Sequence, residues 1–181
     1  MKMLITPLFA ACVFAFGSAS AQAPDFSAQC KERLQKLEVL SGKWKGSGTV
    51  TMGPGNQETF NQTEDVRFKL DGTVLQIEGV GTRPANNEIA FNALALINYD
   101  VGKGEYAMRS YLRDGRWTDA WFKIENDNTF TWGYAIPGNA GQIRYTITLN
   151  DGGKTWSETG EYSSDGTNWY KVFEMNLTKE L

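Results

Sequence analysis

Histidine is absent from this chain of 181 residues. The absence removes the commonest general base, the commonest transition-metal ligand and the usual protein ligand of haem iron. A Ser-His-Asp or Cys-His nucleophilic mechanism is excluded outright. Cysteine is almost absent: Cys12 lies in an N-terminal apolar segment, and Cys30 alone lies beyond it. No internal disulfide is therefore open to the folded domain, which must be held by burial. Basic clusters are missing as well. The 18 Lys and Arg are dispersed among 21 Asp and Glu, for a net charge of −3. Such a balance offers no footprint for nucleic acid or for an anionic membrane. Long hydrophobic runs are missing too, and Met3 to Phe16 is too short for a stable membrane span.

That short run has another use. Lys2 supplies a basic start, and Gly17-Ser18-Ala19-Ser20-Ala21 supplies small residues for signal peptidase. Residues 1–21 are predicted to be a signal peptide and residues 22–181 the mature domain. Phe9-Ala10-Ala11-Cys12 lacks the aliphatic residue expected before a lipidated cysteine, so no membrane anchor is predicted. The compact signal points to export, with the bacterial periplasm as destination. The remaining chain, about 160 residues, is one domain's worth and can bury about 70% of its unfolded surface.

After the leader, Ser27 to Leu40 reads as a helix, with Ser27 as cap and Leu34, Leu37 and Leu40 on one side. Everything beyond it has period two. Strands are predicted over Trp44–Met52, Glu58–Leu70, Thr73–Thr82, Ile89–Tyr99 and Tyr106–Leu112. Further strands follow over Trp117–Ile124, Thr129–Ile136, Gln142–Leu149, Thr155–Tyr162 and Trp169–Thr178. Gly, Asn and Asp clusters separate them, and Asp71-Gly72 reads as a two-residue hairpin turn. No gap holds a crossover helix, so pairing should be antiparallel. About ten strands in a meander would expose two edges unless the sheet closes. The predicted fold is all-β: a single antiparallel barrel with a short N-terminal helix.

Alternation assigns faces. Phe60, Val66, Phe68 and Leu70 carry Gln62 and Glu64 inward with them, and Trp156 carries Glu158. Arg109 and Tyr111 lie on another strand. An inward Arg109 paired with Glu64 or Glu158 would form a polar anchor in an apolar pocket, the usual layout of a small-molecule site. The bland alternative is an internal ion pair that only fixes register. Most of Trp44, Trp117, Trp121, Trp132, Trp156 and Trp169 plug the barrel ends or fill its core, with a minority free to stack on a planar or sugar ligand. Tyr145 lies in an apolar stripe with Ile143, Ile147 and Leu149. Gly46, Gly48, Gly79 and Gly81 either leave room for a ligand or let strands bend. The candidate ligand-binding set is Trp44, Gln62, Glu64, Arg109, Tyr111, Trp132, Tyr145 and Glu158.

Gly42-Lys43-Trp44, within Leu40 to Thr51 and followed by Gly53-Pro54-Gly55, carries a family resemblance. So do Gln62 to Arg67, Leu70 to Thr73, Ile77 to Gly81 and Phe173 to Thr178. Together they resemble an exported bacterial family of lipocalin-like proteins of unknown function, across nearly the whole mature chain. The resemblance implies a calycin-type barrel. More distantly, Gly42-x-Trp44 after a helix is similar to lipocalins and to nitrobindin-like barrels. Lipocalins pair this tryptophan with an arginine near the barrel's end, where this chain offers Lys171 and Lys179. Nitrobindin-like barrels hold haem through a histidine, which this chain lacks.

The leading expectation is an exported protein that holds a small hydrophobic or amphipathic molecule in its lumen, with no cofactor. One alternative is an envelope interaction module whose barrel is filled by side chains. Another is a metal-independent enzyme using Glu64 or Glu158. The residues leave the oligomeric state open.

Overall fold

The computed structural model describes residues 24–53 and 55–180. The predicted signal peptide and Cys12 lie outside these residues. Ten strands run β1 (Gly42–Gly53), β2 (Asn56–Lys69), β3 (Val74–Thr82), β4 (Ile89–Asp100) and β5 (Glu105–Leu112). They continue through β6 (Trp117–Asn126), β7 (Thr129–Ala135), β8 (Gln142–Asn150), β9 (Thr155–Ser163) and β10 (Tyr170–Lys179). Each pairs antiparallel with its sequence neighbour, and β1 pairs with β10. Closure satisfies both edges, as the meander requires.

The helix is shorter than its leucines suggest. It spans α1 (Ser27–Gln35) and gives way to a single 3₁₀ turn over Glu38–Leu40. The spacing of the leucines explains this. At three-residue intervals a 3.6-residue helix would rotate them apart, whereas three residues per turn keeps them stacked. The amides of Leu37 and Leu40 accordingly bond to the carbonyls three residues back, at 2.9 and 3.0 Å. Leu34, Leu37 and Leu40 are all fully buried. Ser27 does not act as cap. Phe26 holds that position, and the Ser27 amide donates to Asp25 Oδ1 at 2.8 Å.

The leucines close one end of the barrel against Trp44. Its Nε1 donates to the Leu40 carbonyl at 2.9 Å, tying the 3₁₀ turn to β1. Its ring meets Trp156 edge-on, with centroids 5.4 Å apart. Lys179, opposite Trp44 across the β1–β10 pair, sets its ammonium 5.0 Å from the ring centroid. Gly42 stands at φ +125°, and a Cβ there would lie 2.7 Å from Lys179 Cε. The chain turns from helix to barrel at this point, beneath that side chain. Val66, Leu75, Ile97, Phe122, Phe130 and Leu149 complete an apolar floor. Each such side chain stabilises the fold by about 1.5–3 kcal/mol through burial.

One predicted turn differs. β2 and β3 are joined by four residues, Leu70 to Thr73, not by a two-residue Asp71-Gly72 hairpin, and Lys69 faces Val74. Leu70 and Asp71 take φ of 48° and 56°, unusual for residues with a Cβ. The Asp71 carboxylate pairs with Lys31 of α1, fastening this loop to the helix. Cys30 is half-buried on the barrel, its Sγ 3.7 Å from the Tyr99 carbonyl oxygen.

Candidate functional site

Above the floor the lumen is empty over about 340 Å³. Side-chain sizes create the space. Among the inward positions of β3 to β6, Gly79, Ala93, Ala95, Ser110, Thr118 and Ala120 are small, interspersed with Ile77, Phe91, Met108 and Leu112. The opposite wall is aromatic. Trp132 and Tyr145 stack at 4.0 Å with planes 9° apart, and Tyr134 stacks beside Trp132 at 6.4 Å. Phe173 meets the edge of Tyr145 at 5.6 Å and stacks on Phe60 at 5.7 Å. The strand glycines serve these side chains. Tyr145 lies across Gly160 and Phe91 across Gly81, where a Cβ would approach the rings to 2.6 and 2.2 Å. Gly48 lies against the Phe60 ring, and Gly46 allows the Asn176 carbonyl to pass within 2.0 Å of where a Cβ would sit.

Three polar side chains interrupt the apolar lining near the floor. Gln62 and Glu64 enter from β2, and Glu158 enters from β9. Glu64 is the cross-strand partner of both Trp44 and Gly79. A Cβ on Gly79 would lie 2.7 and 2.8 Å from the two Glu64 carboxyl oxygens, so the glycine makes room for the carboxyl. Gln62 Nε2 donates to Glu64 Oε1 at 2.7 Å and to the Thr63 carbonyl at 3.3 Å. Gln62 is 2% exposed, and its Oε1 has no partner among the described residues. Trp132 Nε1 donates to Glu158 Oε1 at 3.0 Å, and Trp156 Nε1 donates to Oε2 at 3.2 Å.

Burial pushes the Glu64 carboxyl up from 4.5 to about 8; the Gln62 hydrogen bond opposes the rise and the nearby Glu158 charge adds to it. Burial likewise raises Glu158 to about 7, opposed by its two indole donors. Tyr145 and Tyr134 are also raised, both by burial. Among the described residues, no lysine or arginine belongs to the cavity lining. Two acids therefore face an apolar space without a cation, and both sit where their protonation changes near neutral pH.

Five of the eight sequence-predicted residues converge on this cavity: Gln62, Glu64, Trp132, Tyr145 and Glu158. Trp44 lies beneath it as the plug. Arg109 and Tyr111 point the other way, contrary to expectation. On β5 the inward residues are Met108, Ser110 and Leu112. Arg109 stands on the outer surface, with Nε and a terminal guanidinium nitrogen 2.6 and 2.9 Å from the two Asp119 oxygens. Its guanidinium also stacks over Trp117 at 4.3 Å. The expected Arg–Glu anchor inside the lumen does not form. Ser110, Thr118 and Ala120 were missed as wall residues; their signal was small size at inward positions.

No family model matches the chain, and no curated protein matches it in sequence. Solved structures match its fold. One is Rv2717c from M. tuberculosis, with a TM-score of 0.60 at 10% identity, covering 82% of this chain and 97% of that one. Another is the S-type phycobiliprotein lyase CpeS from Guillardia theta. Its TM-score is 0.56 at 10% identity, covering 87% of this chain and 99% of that one. All three share a ten-stranded antiparallel barrel of calycin-like form. Likeness at this identity concerns the fold and leaves function to the site.

Proposed function

We propose that this protein is an exported carrier, binding a small, largely apolar molecule noncovalently in its barrel lumen. The observation that carries this reading is the cavity of about 340 Å³, with Trp156 in its lining above the Trp44 plug and stacked aromatics along one wall. Its size falls within the range of small-molecule sites, as does its plan of apolar walls with a few convergent polar groups. A barrel meant only to present its outer surface has no need of an unfilled lumen, since filling it would add stability. The fold shared with a protein named as a phycobiliprotein lyase fits the same reading.

The test is native mass spectrometry of the mature protein purified gently from its native compartment, followed by extraction. A stoichiometric adduct that is released on unfolding supports carriage. A clean apo mass that stays unchanged after exposure to a lipid extract contradicts it. A second reading rests on Glu64 and Glu158, whose raised values suit proton transfer within a cleft. In that case the extract would be converted to products, with turnover lost in Glu158→Gln.

A further inference from the structure

The polar groups at the cavity floor have a sign. Every N–H donor among them is already committed. Gln62 Nε2 serves Glu64 and the Thr63 carbonyl, and the Trp132 and Trp156 indoles serve one oxygen each of Glu158. Such donation favours the carboxylate form of both acids. In their carboxylate forms Glu64 and Glu158 turn acceptor capacity to the cavity, their remaining lone pairs, while the unpartnered Oε1 of Gln62 is buried beside them. Left alone the two acids stay protonated; once ionised, a buried carboxylate needs a compensating charge, and among the described residues the lining supplies no lysine or arginine. The other titratable side chains facing the pair are Tyr145 and Tyr134, which are neutral at physiological pH.

We propose that the missing charge arrives with the ligand, and that the site takes an organic ammonium: a flat apolar body bearing a protonated, hydrogen-bond-donating nitrogen. This rests on the carrier reading above and specifies its ligand. The nitrogen sits at the floor among Gln62, Glu64 and Glu158, and the body lies along the Trp132–Tyr145 stack. A carboxylate ligand would meet two acids and no cation, and is selected against.

Isothermal titration with three bodies of one shape tests this: 1-naphthylmethylamine, 1-naphthylmethanol and 1-naphthoate. At about pH 7.5 the amine is expected to bind about tenfold or more tightly than the alcohol, and naphthoate most weakly. Amine affinity should rise between about pH 5.5 and 8, as Glu158 and Glu64 ionise, while alcohol affinity stays flat. Glu64→Gln and Glu158→Gln should each reduce the amine's preference without abolishing alcohol binding. The pH comparison on the unmodified protein stands even where a variant folds poorly. Equal binding of amine and alcohol, or tighter binding of naphthoate, overturns the inference and leaves the carrier reading standing. No binding by any of the three overturns both.

Discussion

Glu64 and Glu158 should make this barrel lose stability as pH rises from 5 to 8. In the unfolded chain both carboxyls ionise near 4.5, whereas in the fold they hold their protons to about 8 and about 7. Between those limits the unfolded state binds fewer protons than the folded state, so unfolding becomes easier with each pH unit. Stability is fully present below about pH 4.5 and is lost through the folded values. At 1.36 kcal/mol per pH unit the pair would reach about 8 kcal/mol in a dry interior. Water entering the open cavity reduces this, and about half is expected. The window is unusually clean. The chain has no histidine, and Asp65, Asp114, Asp119, Asp165 and Glu174 are all lowered by hydrogen bonds and so titrate below it. Urea midpoints of the wild type and of Glu64→Gln/Glu158→Gln, taken from about pH 5 to pH 8, provide the assay. The wild type should fall by about 3–4 kcal/mol and the double variant by much less. An equal slope in both proteins, or wild-type stability that rises with pH, would refute the burial argument.

Other predictions follow from the same geometry. Trp44→Ala removes the floor and the bond to Leu40, and should cost about 3–5 kcal/mol by urea unfolding. Gly79→Ala places a methyl group 2.7–2.8 Å from the Glu64 oxygens, and should cost about 1–3 kcal/mol and alter the pH slope. Ser110→Leu fills the cavity. It should leave stability equal or raised by about 1 kcal/mol while weakening binding of a naphthyl probe about tenfold or more. Arg109→Ala, on the outer face, should leave probe affinity unchanged by the same titration.

The barrel was legible because alternation, turn residues and the lack of crossover segments all point one way. Glu64 and Gln62 were legible for a related reason: Phe60 and Val66 flank them with unambiguous parity. β5 misled because its two faces look alike. Tyr106, Met108 and Leu112 alternate with Ala107, Arg109 and Tyr111, and both sets include apolar or aromatic residues. Pairing settles the parity: Met108 stands opposite Ile97, which is fully buried. The cavity itself was illegible in any single strand. It arises from a contrast between small residues on β3 to β6 and aromatics on β7, β8 and β10, which only closure brings face to face. The helix boundary failed on a finer point, since the three-residue leucine spacing suits a tighter turn than an α-helix provides.

Methionine methyls offer the most direct test of the carrier claim. Met108 and Met175 line the cavity, and Met52 is 64% exposed at the end of β1. With ¹³C-methyl methionine and a naphthyl probe titrated in, Met108 and Met175 should shift together and saturate at one equivalent, while Met52 moves little. Saturable probe binding that leaves Met108 and Met175 unmoved would place the ligand outside the lumen and contradict the account.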